Sequence, residues 1–388
     1  MSSTGSDTDR WRVLWLIKGL GPGGAERLLV AAATAHDREV FDIEAAYLLP
    51  WKDHLVAELE ALGVPCTCLG VRDERDLRWT LRLRRLLTHR SFDVVHIHSP
   101  YAAGFARLVA LSLPKAKRPR LVTTEHNPWS TYRRPTWLAN ALSAPLDRAV
   151  LAVSEEARAS LPRRRRQRAA TLAHGVPVDD IRALIGDRSE VRRELEVAED
   201  TILVGTVANY HRKKDWPTLL RAARLVADAE VDVPVHFCAV GQGPLESSVE
   251  ELHRELDLGS VVTLTGYQPA AVRLMAGCDA FVLASRWEGL PVALMEACVL
   301  GLPIIASAVG GVPDHFTDGV DARLIPAERP DLLAQAILDV VRDPALRQRL
   351  SAASVEHSRD FDARRTTAYV EDVYRDLVTR PGGRRGRP

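Results

Sequence analysis

The 388-residue sequence lacks any marked excess of positive or negative charge. Lys and Arg number 52 against 51 Asp and Glu, a formal net charge of +1, which argues against a dedicated nucleic-acid binder. It has no apolar run near the roughly 20 residues that a bilayer-spanning helix needs. Its opening, MSSTGSDTDR, offers neither a basic n-region nor an apolar stretch for export, so a cytoplasmic location is expected. Cysteine is sparse: Cys66, Cys68, Cys238, Cys278 and Cys298 make an odd number with no C-x-x-C spacing, which excludes a zinc or dithiol motif of that kind and reads as buried reduced thiols. Lysine is scarce as well. Six of the 52 basic residues are lysines, so the adjacent pair Lys213 and Lys214 stands out.

What is present is an ordinary globular composition, 46% hydrophobic and 27% charged, long enough for two domains with a full core each. Short β-branched apolar runs recur between longer amphipathic stretches: Val13 to Ile17, Val94 to Ile97, Leu121 to Thr124, Ala149 to Val153, Ile202 to Val207, Val235 to Val240, Val261 to Leu264, Ala280 to Leu283 and Pro303 to Ala306. Strand alternating with helix implies parallel sheets covered on both faces. The charged stretch Ile181 to Asp200 has no strand-like run, and about as many strands lie before it as after. The expected organisation is α/β, with two doubly wound domains at 11–182 and 183–362. A last helix over 363–378, with Tyr369, Val370, Val373, Tyr374 and Leu377 on one side, is expected to pack back on the first domain, and disordered tails are expected at 1–10 and 381–388.

The most informative stretch is Ser285-Arg-Trp-Glu-Gly-Leu-Pro-Val-Ala-Leu-Met-Glu296, just beyond the run ending at Ala284. It reads as a strand, a tight loop and a helix start, with Pro291 at the first helical position. Gly289 and Leu290 then offer free backbone donors to an anion. Glu288 and Glu296 beside an anion site would repel it, so the ligand should carry hydroxyls as well as phosphate, as a nucleotide sugar does.

In an open parallel sheet, ligands bind beyond the carboxyl ends of the strands. The segments that follow the runs are Gly19 to Glu26, His98 to Pro100, Glu125 to Asn127, Ser154-Glu155, Asn209 to Lys214, Gly241 to Pro244, Arg286 to Gly289 and Gly310 to Asp314. Gly23-Gly24 is a weak phosphate signal alone. His126 is expected to be exposed at a strand end, and His96 reads as structural. Arg212, Lys213 and Lys214 form a cationic loop. No Asp-x-Asp pair follows a strand in this set, so a metal carrying a diphosphate is not indicated. Asn127 to Trp137 mixes aromatics with arginines, so Trp129, Tyr132 and Arg133 could stack on a sugar and bind an anionic acceptor, or form a packed loop. The runs Arg163 to Arg168 and Lys115 to Arg120 read as solvated faces, with an anionic membrane surface as the functional option.

Taken in order, Gly23-Gly-Ala-Glu26, the Asp93 to His98 strand, Thr124-Glu-His126, Gly241 to Pro244, the Glu288/Glu296 pair and Gly310-Gly-Val-Pro313 resemble the retaining glycosyltransferases of family 4. The resemblance implies a GT-B fold, two Rossmann-like domains facing across a cleft, and sugar transfer from a nucleotide-sugar donor to an acceptor hydroxyl without a metal or other cofactor. By position it implies that Glu288, with the amides of Gly289 and Leu290, binds the donor sugar and that Glu296 holds the ribose. Lys214 would neutralise the leaving diphosphate, His126 would contact the sugar and β-phosphate, and Gly23-Gly24 would approach the phosphates. His98 is a softer carry-over to the acceptor side. Catalytic weight falls on His126, Lys214 and Glu288. The expected partners are a UDP- or GDP-sugar and a sugar or lipid-linked acceptor, with peripheral membrane contact open and no nucleic acid. Where the family often has an arginine five or six residues before the lysine, this chain has Asn209 and Ala208, leaving Arg212 or Lys213 as substitutes. His174-Gly175 stands in place of the family's asparagine-glycine turn.

Two other classes stay open on the residues alone. Gly19, Gly21 and Gly24 match the G-x-G-x-x-G spacing of a nicotinamide oxidoreductase, with the Asp42 to Ala46 strand as partner for the ribose, but that reading leaves Glu288, Glu296 and Lys214 unexplained. A non-catalytic glycan-binding or scaffold homologue would keep the fold, and the missing arginine is its one support.

Overall fold

In a computed structural model, residues 10–72 and 76–379 are described. The tails expected at 1–10 and 381–388 lie outside them apart from Arg10. The chain divides into two compact units, one made of residues up to Gly175 together with 363 onward, the other of Val176–Asp362. The division falls at 175 rather than 182, because the short helix Val178–Ala183 buries Val178 and Ile181 with the second unit.

The first unit holds a seven-stranded parallel sheet of β1 (Trp11–Ile17), β2 (Phe41–Tyr47), β3 (Cys66–Cys68), β4 (Val94–Ile97), β5 (Arg120–Glu125), β6 (Ala149–Ala152) and β7 (Ala169–Thr171), in the order β3-β2-β1-β4-β5-β6-β7. The two-residue period of β1 sorts its side chains between two cores. Leu14 and Leu16 enter the cluster around Trp79 and Leu83, while Val13, Trp15 and Ile17 enter the one around Leu29, Phe41 and Tyr374. A strand buried on both faces must read as a continuous apolar run. The last helix, Ala363–Thr379, supplies Tyr374 to the second of these cores and lies against the helix Gly24–Ala35. Its most buried residues are Ala363, Thr367, Glu371, Tyr374 and Val378; Val370 and Leu377 of the expected face pack against the same core, whereas Tyr369 is exposed.

The second unit holds β8 (Ile202–Val207), β9 (Val235–Val240), β10 (Val262–Gly266), β11 (Ala280–Leu283), β12 (Ile304–Ser307) and β13 (Ala322–Ile325), parallel in the order β10-β9-β8-β11-β12-β13. Leu203, Val204, Phe281, Val282, Ile304 and Ile305 are fully buried at its centre. Replacing one of them by alanine would cost about 2–5 kcal/mol. Of the strands absent from the expected runs, β2 is internal and is interrupted by Asp42 and Glu44, while β3, β7 and β13 are edge strands. Their half-exposed residues carry no need for apolar continuity. Cys66 and Cys68 lie on β3, and Cys68 is exposed while Cys66 is half-buried, so only Cys238, Cys278 and Cys298 are the buried thiols expected.

Candidate functional site

In the second unit the chain reverses its direction of travel across the sheet between β8 and β11, where the loops leaving two neighbouring strands part and make a crevice. The loop after β8 closes with the turn Arg212–Lys214, followed by Asp215 in the left-handed region at φ 47. Asp215 is buried and accepts a hydrogen bond from Thr218 Oγ1 at 2.7 Å. The backbone N–H of Arg286, from the loop after β11, donates to the carbonyl of Lys213 at 2.8 Å, tying the two loops together. Across that junction Lys214 Nζ contacts Glu288 Oε1, which also accepts from Ser285 Oγ at 2.7 Å. Lys213 Nζ lies 3.6 Å from Glu288 Oε2.

Glu288 is almost fully buried. Burial pushes its carboxyl up, but the charges of Lys214 and Lys213 and the hydrogen bonds from Lys214 and Ser285 outweigh this and hold it below the usual carboxylate range. Burial pulls the Lys214 ammonium down, opposed by Glu288 and reinforced by Lys213. The result is an ion pair largely out of water with a second cation beside it.

Two further loops press against this pair. Gly310, after β12, has φ 59, and a Cβ there would sit 1.9 Å from the carbonyl oxygen of Glu288; the next residue, Gly311, donates its N–H to the Gly289 carbonyl at 2.7 Å. After β9, a Cβ on Gly241 would sit 2.2 Å from the Ala208 carbonyl oxygen. Only glycine lets four strand-end loops converge this tightly. Gly289 and Leu290 are buried, and Glu296 lies half-buried on the following helix, Val292–Val299, with Pro291 one residue ahead of its start. Asn209 and Arg212 are exposed; the Asn209 carbonyl accepts from Trp216 Nε1 at 3.1 Å.

In the first unit the direction reverses between β1 and β4. Gly23 caps the helix Gly24–Ala35 without a side-chain hydrogen bond, leaving that helix's first backbone donors to other partners. Beyond β4 and β5 lie His98 and His126, joined by His174 from the segment after β7. The His126 and His174 rings stack at 5.0 Å and 11°, and His98 is 5.9 Å from His126. Nε2 of each of these three is buried and meets no hydrogen-bond partner among the described residues. His96 differs: one nitrogen is 2.7 Å from Thr124 Oγ1 and the other 2.5 Å from the Tyr374 hydroxyl, so it is structural. Burial holds all four imidazoles below their ordinary range, His126 at about 4 and His96 at about 3, with His98 and His174 further lowered by neighbouring imidazoles. They are neutral hydrogen-bonding groups at neutral pH.

Residues 22–180 match the model of Glycosyltransferase Family 4, and residues 187–357 match that of Glycosyl transferases group 1. The chain is a family 4-like glycosyltransferase of the GT-B fold. It is 28% identical to EpsF of Bacillus subtilis (strain 168) over 81% of this chain and 82% of that one. It is 23% identical to the UDP-Gal:alpha-D-GlcNAc-diphosphoundecaprenol alpha-1,3-galactosyltransferase of Escherichia coli over 85% and 87%. Among solved structures, Anabaena Alr3699/HepE in complex with UDP and glucose superposes with a TM-score of 0.82, covering 95% of this chain and 100% of that one at 19% identity, a likeness of fold.

Several expected residues of this glycosyltransferase stand elsewhere. Trp129 is buried among Val150 and Leu161, and the Tyr132 hydroxyl donates to buried Glu125 at 2.8 Å, so both belong to the packed-loop alternative; Arg133 is exposed. Arg165, in a run expected to be a solvated face, is buried and pairs with Glu125 at 2.8 Å and Asp147 at 2.7 Å. His126 is half-buried rather than exposed. Asp42 opens β2, at the opposite end from the Gly19 to Gly24 turn, and Glu44 is buried between Arg12 and Arg90 at 2.8 and 2.9 Å. No acid of that strand reaches a ribose beside the turn, which removes the support for the nicotinamide reading. His174 was not among the expected site residues. Its signals are its place in the family's asparagine-glycine turn and its position just after β7, a strand too short to read as one. Lys213, rather than Arg212, is the second cation at Glu288.

Proposed function

We propose that this glycosyltransferase moves a sugar from a nucleoside-diphosphate sugar, UDP- or GDP-linked, to an acceptor hydroxyl with retention at the anomeric carbon, in glycan, glycolipid or polysaccharide assembly. The carrying observation is the buried contact of Lys214 with Glu288, with Lys213 beside it, at the switch point of the second unit. Negative charge develops on the diphosphate as the glycosidic bond breaks. Lys214 and Lys213 supply fixed positive charge there, where low local dielectric makes it most effective, and no metal is needed for that role. Glu288, with its carboxylate held ionised, accepts hydrogen bonds from sugar hydroxyls, and the amides of Gly289 and Leu290 donate nearby. Glu296 takes the ribose hydroxyls. In the first unit, His126 offers a neutral imidazole nitrogen to a sugar hydroxyl, and the helix start at Gly23-Gly24 offers backbone donors to phosphate.

Two similarities support the donor class. The Anabaena neighbour was solved with UDP and glucose and also with UDP-glucose, and the Escherichia coli relative is named for a UDP-sugar donor and a lipid-diphosphate-linked acceptor. A sugar or lipid-linked acceptor follows by the same reasoning. The test is turnover of UDP- and GDP-sugars with and without chelator, with the anomer of the product read by NMR. Transfer with retained configuration in chelator supports the reading, and an inverted product or strict metal dependence overturns it.

A further inference from the structure

We propose that one face of the first unit, formed by the helices Arg78–Arg90, Pro100–Leu111 and Arg134–Ser143, docks on an anionic lipid bilayer. The three helices form a single layer. Trp79 of the first meets Tyr101 and Phe105 of the second at ring distances of 6.3 and 6.1 Å. Buried Arg107 of the second donates to Asn140 of the third at 2.8 Å, and Gly104 lets the second and third helices touch, since a Cβ there would lie 2.7 Å from Ala139 Cβ.

The inward faces of these helices are filled, so their outward faces should be polar. Instead each carries large apolar side chains at helical spacing: Leu77 and Leu81 at the first, Leu108 and Leu111 on the second, Trp137, Leu138 and Leu142 on the third. Leu142 is 76% exposed and Leu81 60%. Scattered single leucines would call for no explanation, but six leucines and a tryptophan on three adjacent helices do.

Their electrostatic setting selects the partner. From Arg78 to Leu146 the sequence has twelve Lys and Arg but only two acids, Asp93 and Glu125. Neither acid is on these helices, and Glu125 is buried in its ion pair with Arg165. Arg84, Arg85, Lys115 and Arg134 are exposed along the same layer. Arg85 follows Leu81 by four residues and Arg134 precedes Leu138 by four, so each cation stands one turn from a leucine and can reach outward along its own stem. Arg78, Arg90 and Arg107 are paired with Asp76, Glu44 and Asp147, so the positive charge this face offers is that of Arg84, Arg85, Lys115 and Arg134, standing around exposed leucines in a protein otherwise balanced to +1. A nucleic acid would satisfy the arginines and leave the leucines in water. An anionic bilayer takes both: cations at the headgroups, leucines and Trp137 at the acyl boundary. Among the described residues no helix is long and apolar enough to cross a membrane, so the contact lies on the surface. This proposal does not depend on the transfer chemistry above.

The test is co-sedimentation of the full chain with vesicles of phosphatidylcholine alone and of phosphatidylcholine mixed with phosphatidylglycerol. Binding to the mixed vesicles, weakened by salt, is expected. R84A/R85A should weaken it about 25-fold, at about fivefold per cation, and L138S/L142S by about tenfold or more. Because all four positions are exposed, both variants should keep the wild-type melting temperature. The proposal is overturned if the mixed vesicles do not retain the protein, if phosphatidylcholine alone retains it equally, or if both variants bind like wild type. It is also overturned if light scattering shows a dimer that L138S/L142S dissociates, which would make a second copy of the chain the occupant.

Discussion

Lys214 and Glu288, 74 positions apart in the chain, meet in a buried ion pair that also gathers Ser285 and Lys213. Each holds the other's charge in a place where neither would be stable alone. Removing Lys214 leaves Glu288 against the weaker, longer contact of Lys213. Lys214→Ala should therefore lower turnover by about 10²–10³-fold, the usual effect of losing one electrostatic contact to a developing anion, and steady-state kinetics will measure it.

The same pair predicts a pattern in stability. Breaking a buried pair from one side costs about 3–5 kcal/mol, because it strands a charge. Lys214 retains slight exposure, so the lower end applies. Glu288→Ala and Lys214→Ala should each lower the melting temperature, and the double variant should lose less than the two together. Additive losses in calorimetry would mean that the two groups are not coupled.

Gly310 sets the position of Glu288 from outside. With φ 59 and 1.9 Å between a would-be Cβ and the Glu288 carbonyl oxygen, Gly310→Ala has to displace the loop after β11 as well as accept a left-handed conformation worth about 1–2 kcal/mol. It should cost more than that in stability and weaken nucleotide binding in titration calorimetry, although residue 310 need not touch the ligand.

The histidine cluster of the first unit has its own pH signature. His126 binds a proton near 4 in the folded chain and near its ordinary 6.5 when unfolded, and His96 near 3. Between these limits the unfolded state holds more protons, so stability rises with pH and is lost as pH falls from about 6.5 toward 4. His98 and His174, lowered as well, act in the same direction. Thermal melts across that range should show the decline, and replacing His98 or His174 by a non-titrating residue should flatten it.

The stacking of His174 on His126 separates a positioning role from a contact. His126→Ala should slow transfer by about tenfold, the worth of one hydrogen bond. His174→Phe preserves a flat ring at 5.0 Å and should retain most activity, whereas His174→Ala should not. Rescue by phenylalanine is the result that a purely hydrogen-bonding His174 would fail to give.

The central strands were legible because both faces are buried, which forces unbroken apolar runs such as Ile202 to Val207 and Ala280 to Leu283. The loops bearing Lys214 and Glu288 were legible because a parallel sheet gathers strand ends on one edge. The remainder depended on tertiary partners that no local pattern carries. Arg165 looks like part of a solvated run until Glu125 and Asp147 are placed beside it, and Trp129 looks like a stacking platform until Val150 and Leu161 cover it. The three-residue edge strands β3 and β7 bury too little to leave a signal.

Binding of nucleotides to the wild type and to Lys214→Ala, by thermal shift in chelator, tests nucleotide-sugar chemistry at this site most directly. A ligand of the folded state must raise its melting temperature. Stabilisation of the wild type by one nucleoside diphosphate and its sugars, and its loss in Lys214→Ala, is the predicted result. Stabilisation by NAD alone, by no nucleotide, or equally in both proteins would contradict it.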